Sequence, residues 1–230
     1  MEEHRATARE VAQRHLAKGD PFGWFEALYA LGDPGVIPWA DLAPNPSLVE
    51  WLDRGRAPLE GTAVKVGCGL GDDAEELSRR GLATTAFDIS PTAIEWSRRR
   101  FPSSCVEYIV ADLFSPPESW IAGFDLVVES YTLQVLPPSL RTEACRRIAA
   151  LVAPGGTLVV IARGREAEEP EGKMPWPLVV SEFETFDRAG LRRVSFEDFV
   201  DRETPPVRRF RLEFRRLESQ VAEPRAPVAR

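Results

Sequence analysis

The stretch from Thr62 to Asp73, TAVKVGCGLGDD, constrains the fold more than any other part of the chain. A run rich in β-branched residues over 62–66 predicts a short strand. It leads directly into a glycine turn, Gly67–Gly71, and a helical pattern then continues to Gly81. Glycine allows a tight turn and lets a ligand approach the main chain without meeting a Cβ atom. Strand, glycine turn and helix together predict a nucleotide-like ligand at the edge of a parallel sheet.

The spacing of the glycines separates two classes of cofactor. Gly67, Gly69 and Gly71 fall as GxGxG, whereas the dinucleotide fingerprint GxGxxG places its third glycine one residue later. This difference favours the aminoacyl nucleoside S-adenosylmethionine over NAD. A glycine pattern alone is not specific, so the prediction depends on the other turns at the same edge.

Composition excludes several function classes. The net charge of −7 argues against nucleic-acid binding as the main activity. Three cysteines without CxxC spacing argue against a disulfide framework or a zinc site. The two histidines both lie in the first twenty residues, which argues against a histidine-centred metal site or triad. Without a long apolar run or a secretory signal, we expect a cytoplasmic enzyme with a small-molecule substrate, no nucleic-acid or membrane partner, and a monomeric or weakly dimeric state.

The alternation of short apolar runs with helical patterns is typical of βαβ units. It predicts five strands and then an antiparallel pair, at 62–66, 83–88, 105–110, 124–129, 157–162, 191–200 and 207–217. The predicted class is α/β, a Rossmann-like doubly wound seven-stranded sheet that is mostly parallel, with an antiparallel C-terminal strand. We expect a single domain over 1–230, composed of an N-terminal helical extension (1–61), the Rossmann-like core (62–217) and a tail (218–230).

Acids follow three of the predicted strands. In open α/β sheets the ligand binds outside the carboxyl ends of the strands, so these acids should converge. Asp88 can accept hydrogen bonds from both hydroxyls of a ribose, which predicts a ribose-binding role. The alternative is that Asp88 is an exposed helix cap. Asp112 suits an adenine amino group, with Leu113 beside the ring. Glu129 faces the cofactor ammonium or the substrate, or is a solvated strand end.

Aromatic residues outside the strands offer a cover for the site. Trp24 and Trp39 in the extension suit a sulfonium cation, which favours ring faces, and the alternative is that they pack the extension onto the core. The loop 163–177, which holds Trp176, follows the fifth strand and therefore emerges at the same edge. We predict that it forms a lid that excludes water, with its four glutamates keeping it solvated.

Several pieces of the chain together carry a family resemblance. Their sequences are VGCGLGD, AFDIS, VADLF, FDLVVE and LVAPGGTLVVIA, all between Thr62 and Ala162. This region resembles the class I S-adenosylmethionine-dependent methyltransferases. More narrowly, the chain is similar to the thiopurine S-methyltransferase-like branch, which includes halide and thiol methyltransferases. The narrower resemblance is carried by Pro38-Trp39 before Asn45-Pro46, GCGLGDD followed by FDIS, Tyr131 to Arg141, and Pro175 to Leu178.

The resemblance implies a role for each matching residue. The glycine turn would hold the methionine part and the ribose edge of the cofactor, Ile89 would pack on the adenine, and Tyr131 would stand near the transferred methyl group. The cofactor-binding residues are then Trp24, Trp39, Gly67, Cys68, Gly69, Gly71, Asp88, Ile89, Asp112, Leu113 and Glu129. The catalytic residues are Glu129 and Tyr131, and no metal is expected.

Two residues depart from the family pattern. Lys65 occupies the position, two residues before the first motif glycine, where such sequences usually carry an acid that faces the cofactor amino group. Either Glu129 or Asp72 substitutes for that acid, or the contact is lost. Ser130 stands about where the thiopurine enzymes carry an arginine, which argues against a thiopurine substrate.

The predicted function is methyl transfer from S-adenosylmethionine to a small molecule with a soft attacking atom, such as a thiol, selenide or halide. Such a nucleophile needs little proton abstraction, and no histidine base lies in the motifs. The alternatives are an oxygen or nitrogen nucleophile on a small metabolite, or a non-catalytic S-adenosylmethionine-binding module. An NAD-type oxidoreductase is disfavoured by the glycine spacing.

Overall fold

A seven-stranded sheet forms the centre of the fold. The computed structural model of the protein describes residues 2–58 and 60–218. The strands are β1 (Thr62–Val66), β2 (Ala83–Asp88), β3 (Glu107–Val110), β4 (Phe124–Ser130), β5 (Val152–Arg163), β6 (Leu191–Val200) and β7 (Arg208–Arg216). Their order in the sheet is β3-β2-β1-β4-β5-β7-β6. Of these seven strands, β7 runs in the direction opposite to the other six. The predicted Rossmann-like fold with an antiparallel C-terminal strand is confirmed.

Helices cover both faces of this sheet. They are α1 (Glu2–Leu16), α2 (Gly23–Tyr29), α3 (Pro46–Asp53), α4 (Asp72–Arg79), α5 (Pro91–Arg100), α6 (Pro138–Leu151) and α7 (Glu184–Arg188). Asn45 caps α3 by accepting from Ser47 N at 2.9 Å, and Ser90 caps α5 by accepting from Ala93 N at 3.0 Å. None of these helices is long and apolar enough to cross a membrane.

The predicted bounds of the third, fourth and last strands differ from the observed ones by one or two residues, and the fifth strand differs by more. The fifth strand begins at Val152 rather than 157, because the chain is already paired with β4 before the turn at Gly155. The segment between the loop 163–177 and β6 forms a 3₁₀ turn, Val180–Phe183, followed by the short α7. The tail from 219 lies outside the described residues, so the predicted domain limits remain predictions.

The alternation of side chains along β1 separates two apolar clusters. Val64 and Val66 face the cluster that contains α2 and α6, whereas Ala63 faces the cluster under α3 with Trp51. Lys65 therefore lies on the α3 side of the sheet. Parallel register pairs Val66 with Glu129, so Glu129 lies on the opposite side from Lys65. Because of this separation, the Glu129 side chain does not lie on the same face of the sheet as the Lys65 side chain.

Candidate active site

A cavity opens at the carboxyl ends of β1, β2, β3 and β4. It holds about 1050 Å³ of atom-free space including its open mouth, a size that suits a small organic ligand. Nine of the twelve predicted site residues line it, namely Trp39, Gly67, Cys68, Gly69, Asp88, Ile89, Asp112, Leu113 and Tyr131. The structure does not bring the other three, Trp24, Gly71 and Glu129, to the cavity wall.

The glycine turn leaves its main chain exposed to the cavity. Gly67 and Gly69 have φ angles of +56° and +54°, which favour glycine. A Cβ atom at Gly67 would lie 2.4 Å from Thr132 Oγ1, and one at Gly69 would lie 3.1 Å from Tyr29 Oη. Ser97 Oγ donates to Gly69 O at 3.0 Å and fixes the turn from below. Both glycines are therefore required by conformation and by close neighbours.

Asp88 lies beside that turn and is 7% exposed, so the alternative of an exposed cap does not describe it. Its Oδ2 accepts from Gly69 N and its Oδ1 accepts from Ser90 N, each at 3.0 Å. Burial raises the pKa of this carboxyl group. Each carboxylate oxygen can accept two hydrogen bonds, so both oxygens retain acceptor capacity toward the cavity.

Asp112 and two apolar residues form the next part of the wall. Asp112 Oδ1 accepts from Phe114 N at 2.8 Å, which fixes the turn after β3. Ile89, after β2, and Leu113 line the same cavity. This part of the wall thus combines apolar contact with one carboxylate, which suits a flat heterocycle bearing an amino group.

The N-terminal extension covers the glycine turn through aromatic residues. Trp39 lines the cavity and donates from Nε1 to Tyr29 Oη at 2.8 Å. Trp24 is 1% exposed, stacks on Phe25 at 3.9 Å between ring centroids, and donates to Pro21 O. Trp24 supports the cover from behind, whereas Phe25 and Tyr29 reach the cavity. Sequence reasoning missed this pair, although their i, i+4 spacing on α2 places them on one helix face.

Asp73 is a cavity residue that sequence reasoning also missed. Its Oδ1 accepts from Asn45 N at 2.7 Å, and its Oδ2 accepts from Ser130 Oγ at 2.6 Å. Lys65 Nζ lies 3.9 Å from the same Oδ2. The available signal was its place in the first turn of the helix after the glycines, where acids are favoured.

Among the described residues, the carboxylate that pairs with Lys65 is Asp73. Whether Asp72 or Glu129 replaces the missing motif acid at the cofactor amino group, or that contact is lost, stays a prediction. Asp72 forms a bidentate salt bridge with Arg100, whose two terminal guanidinium nitrogens each donate to one carboxylate oxygen at 2.7 Å. Glu129 lies on the other side of the sheet, as the strand register requires. Lys65 Nζ itself donates to Val66 O at 2.8 Å and to Gly67 O at 3.3 Å.

Glu129 is fully buried behind the cavity wall. Its Oε1 accepts from Thr132 N at 2.7 Å and from Leu133 N at 3.0 Å. Its Oε2 has no hydrogen-bond partner among the described residues. Burial raises the pKa of Glu129 to about 7, against the opposing effect of the Leu133 hydrogen bond. The side chain fixes the turn after β4 because it turns back under that turn, away from the cavity.

Tyr131 occupies the turn that Glu129 fixes. Its φ angle is +68°, a conformation that costs a non-glycine residue about 1 kcal/mol or more and that is common at functional sites. The Arg209 guanidinium lies 4.6 Å from its ring centroid. Burial raises the pKa of the Tyr131 hydroxyl to about 12. The phenol therefore stays protonated at neutral pH.

A smaller cavity, with about 420 Å³ of atom-free space including its open mouth, is also lined by Tyr131. It shares Trp39, Asp41 and Tyr131 with the main cavity. Polar side chains from β5, the 3₁₀ turn after β4 and the β6–β7 hairpin complete it, namely Gln134, Arg163, Glu203 and Arg209. Trp39, Asp41 and Tyr131 therefore form the part of the wall that the two cavities have in common.

The loop 163–177 is held by contacts at several points. Trp176 N donates to Gln134 O at 2.7 Å, and the Arg141 guanidinium lies 5.5 Å from the Trp176 ring. Arg9 Nε donates to Met174 O at 2.8 Å, which joins the loop to α1. Pro175 lines the smaller cavity, but Trp176 lines neither. The prediction that this loop acts as a lid remains a prediction.

Comparison with known proteins agrees with this geometry. The family model of the methyltransferase domain matches residues 63–156. The chain is 27% identical over 184 residues to a probable thiol methyltransferase 2 of Arabidopsis thaliana, covering 77% of the chain and 76% of that protein. It is 33% identical over 150 residues to a ubiquinone biosynthesis O-methyltransferase of Methylocella silvestris, covering 62% of the chain and 57% of that protein.

A solved structure shows the same fold. The N-methyltransferase NodS of Bradyrhizobium japonicum, in complex with S-adenosyl-L-homocysteine, aligns with a TM-score of 0.61 and 21% identity over 79% of this chain and 92% of that one. The matched domain contains β1, the glycine turn and β2 to β4, which form the cavity. Residues 63–156 therefore form a methyltransferase domain, and the fold of the chain is that of the class I S-adenosylmethionine-dependent methyltransferases.

Proposed function

We propose that the protein transfers a methyl group from S-adenosylmethionine to a small molecule whose attacking atom is a thiol, selenide or halide. The supporting observation is that the described lining of the cavity offers neither an imidazole nor a readily ionised phenol. No described residue that lines it is a histidine, and the phenol of Tyr131 has a pKa of about 12. Thiolates and halides need little proton abstraction, so such a cavity suits them.

The similarity to a probable thiol methyltransferase over three quarters of both chains supports the same nucleophile class. A second candidate is an oxygen nucleophile, because the chain is also similar to a ubiquinone biosynthesis O-methyltransferase. Two carboxylates that line the cavity, Asp41 and Asp73, are the groups that would accept a proton in that case. Asp73 already accepts hydrogen bonds from Asn45 N and Ser130 Oγ, one on each carboxylate oxygen.

We assign the cofactor to the main cavity, on the residues that line it. Asp88 would bind the ribose hydroxyls, and the main chain of Gly67, Cys68 and Gly69 would approach the ribose and methionine parts. Ile89 and Leu113 would enclose the adenine, with Asp112 at its amino group. The Trp39 ring would face the sulfonium. Support for these roles comes from the shared cavity and from the buried acceptors of Asp88.

The bound cofactor supplies an activated methyl group on a sulfonium leaving group, and the protein supplies alignment and exclusion of water. The smaller cavity would hold the acceptor, since Tyr131 and Trp39 line both cavities. Tyr131, held by its backbone conformation and by Arg209, would set the approach of the acceptor atom. The aromatic residues of α2 would close the cofactor from solvent.

An acceptor panel tests this function. Release of S-adenosylhomocysteine is measured with thiols, hydrogen selenide, halides, phenols and amines. We expect turnover with thiols or other soft nucleophiles, with a rate that follows the pKa of the acceptor thiol. Turnover with phenols or amines alone would contradict the proposal. Tight binding of S-adenosylhomocysteine with no turnover across the panel would instead favour a non-catalytic module.

The variant Tyr131→Phe sharpens the test. If no base is needed, its turnover with a thiol should stay within about threefold of wild type. General-base catalysis by the phenol would instead make the loss about 10²-fold or more.

A further inference from the structure

Lys65 is the one cationic side chain among the described residues that line the main cavity. We propose that its ammonium group binds the carboxylate of the cofactor's methionine part, so that the site selects its cofactor by that carboxylate. The inference rests on the cofactor assignment above and does not depend on which acceptor is methylated.

The hydrogen bonds of Lys65 leave one donor for a ligand. Its side chain is 3% exposed, and Nζ donates to Val66 O and Gly67 O. An ammonium group has three N–H donors. The ion-pair partner of Lys65 among the described residues is Asp73 Oδ2, which lies at 3.9 Å and is too far to accept the third donor as a hydrogen bond. A ligand carboxylate at the glycine turn can take this donor.

The charges around the cavity favour the same pairing. Five acids line it, namely Asp41, Asp72, Asp73, Asp88 and Asp112. The cofactor carries a sulfonium, an ammonium and a carboxylate. The acids of the cavity attract the two cationic groups and repel the carboxylate. A carboxylate in this cavity is repelled by the acids unless a cation pairs with it. Lys65 is the group that lies at the glycine turn and supplies that cation.

The competing explanation is a purely structural one, in which Lys65 neutralises Asp73 and holds β1 against α4. Asp73, however, already accepts from Asn45 N and Ser130 Oγ. The Lys65–Asp73 contact at 3.9 Å is therefore a loose ion pair, and a buried ammonium with so loose a partner gains from a closer anion. The two explanations differ in whether Lys65 contributes to the affinity for a ligand that carries the carboxylate.

Calorimetric titration separates them without any turnover. Wild type and Lys65→Met are each titrated with S-adenosylhomocysteine and with its analogue that lacks the carboxylate. We expect wild type to bind S-adenosylhomocysteine about 10- to 100-fold more tightly than the analogue, the range for a hydrogen bond between charged groups. In Lys65→Met the two affinities should become equal within about threefold, with the loss falling on S-adenosylhomocysteine.

Equal weakening of both ligands in Lys65→Met would overturn the proposal and support the structural role. A preserved preference for S-adenosylhomocysteine would overturn it too, because another donor must then bind the carboxylate. Should Lys65→Met not fold, Lys65→Gln is titrated in its place, and a wild type that binds both ligands equally refutes the proposal by itself. If wild type binds neither ligand, the cofactor assignment fails, and that outcome is distinct from failure over the lysine.

Discussion

At the scale of single residues, the glycines of the turn serve different purposes. Gly67 and Gly69 line the cavity, whereas Gly71 does not. Gly71 has a φ angle of +93°, and a Cβ atom there would lie 2.5 Å from Tyr108 Oη. That hydroxyl donates to Glu75 Oε1 at 2.6 Å and cannot move away freely. The third glycine thus permits the packing of α4 against β3 rather than contact with a ligand.

Replacement of Gly71 by Ala should therefore reduce the free energy of unfolding by about 3 kcal/mol, from backbone strain and overpacking together. Gly19→Ala is the matched control, because Gly19 has a φ angle of +76° with nothing within 4 Å of its added Cβ. The control should lose only about 1 kcal/mol, the cost of the left-handed conformation. Urea unfolding of both variants measures the difference. Equal losses would mean that Tyr108 does not constrain this position.

Asp88 gives a test of the cofactor assignment. The variant Asp88→Asn keeps an acceptor for one of its two backbone donors, so the turn should fold. Its affinity for S-adenosylhomocysteine should fall by about 1.5–3 kcal/mol, because hydrogen bonds from the ribose to a charged group are lost. Asp198→Asn, on β6 and outside both cavities, is the control and should bind as wild type does. Calorimetric titration measures both. Unchanged affinity in Asp88→Asn would remove Asp88 from the ribose site.

At the scale of elements, α2 is attached to the core through the start of α5. Glu26 accepts from Ser90 Oγ at 2.5 Å, from Thr92 Oγ1 at 2.6 Å and from Thr92 N at 3.2 Å. These hydrogen bonds lower the pKa of Glu26 against the opposing effect of burial. The same helix carries Phe25 and Tyr29 into the cavity. The hydrogen bonds of Glu26 to the start of α5 therefore also hold the helix that places Phe25 and Tyr29 at the cavity.

Glu26→Ala should release this cover. We expect faster amide hydrogen exchange over residues 23–29 and weaker binding of S-adenosylhomocysteine by about 1–2 kcal/mol, as the hydrogen bonds that position α2 are lost. Glu10→Ala is the control, since the Glu10 side chain is 70% exposed and pairs with Arg14 in the same helix. Exchange over 23–29 that is unchanged in Glu26→Ala would show that apolar packing alone holds α2.

Elements defined by local signals were predictable, and those defined by distant contacts were not. The bounds of β1 and β2 are as predicted, because β-branched residues, glycine and a terminal acid mark them locally. The acids at the ends of β2 and β3 were predictable from topology alone. Asp73 was not, since its partners Asn45 and Ser130 lie 28 and 57 residues away. The strand register that separates Glu129 from Lys65 is likewise visible only in the assembled sheet.

At the scale of the whole molecule, the N-terminal extension and the C-terminal strand β7 meet on the face of the sheet that carries Lys65. Arg211 on β7 donates to Ser47 O at 2.7 Å, and Trp51 on α3 donates to Glu213 Oε2 at 3.0 Å. The residue before α3, Asn45, donates in turn to Asp73 in the cavity. The C-terminal hairpin thus positions the N-terminal extension, which contributes one wall of the site. Sequence order places these segments far apart, and the antiparallel insertion of β7 brings them together.

One buried group should contribute a loss of global stability as pH rises from about 4.5 to about 7. Glu129 has its pKa raised from 4.5 to about 7 in the folded protein, because burial disfavours its charged form. Between these pH values the folded chain keeps a proton that the unfolded chain has released. Its contribution to stability therefore falls as pH rises through this window, and the loss is complete above about pH 7. The integrated loss is on the order of 3 kcal/mol.

The variant Glu129→Gln removes this titration while keeping an oxygen that can accept from Thr132 N and Leu133 N. Any cost of burying the amide is independent of pH, so the informative quantity is the difference between wild type and variant in the free energy of unfolding. That difference should shift by about 3 kcal/mol against wild type between pH 4.5 and pH 7.5, as measured by urea unfolding. Other titrating groups are common to both proteins and cancel. Parallel stability curves would mean that Glu129 is ionised in the folded state across the range, and its unpartnered Oε2 would then need a bound cation or water.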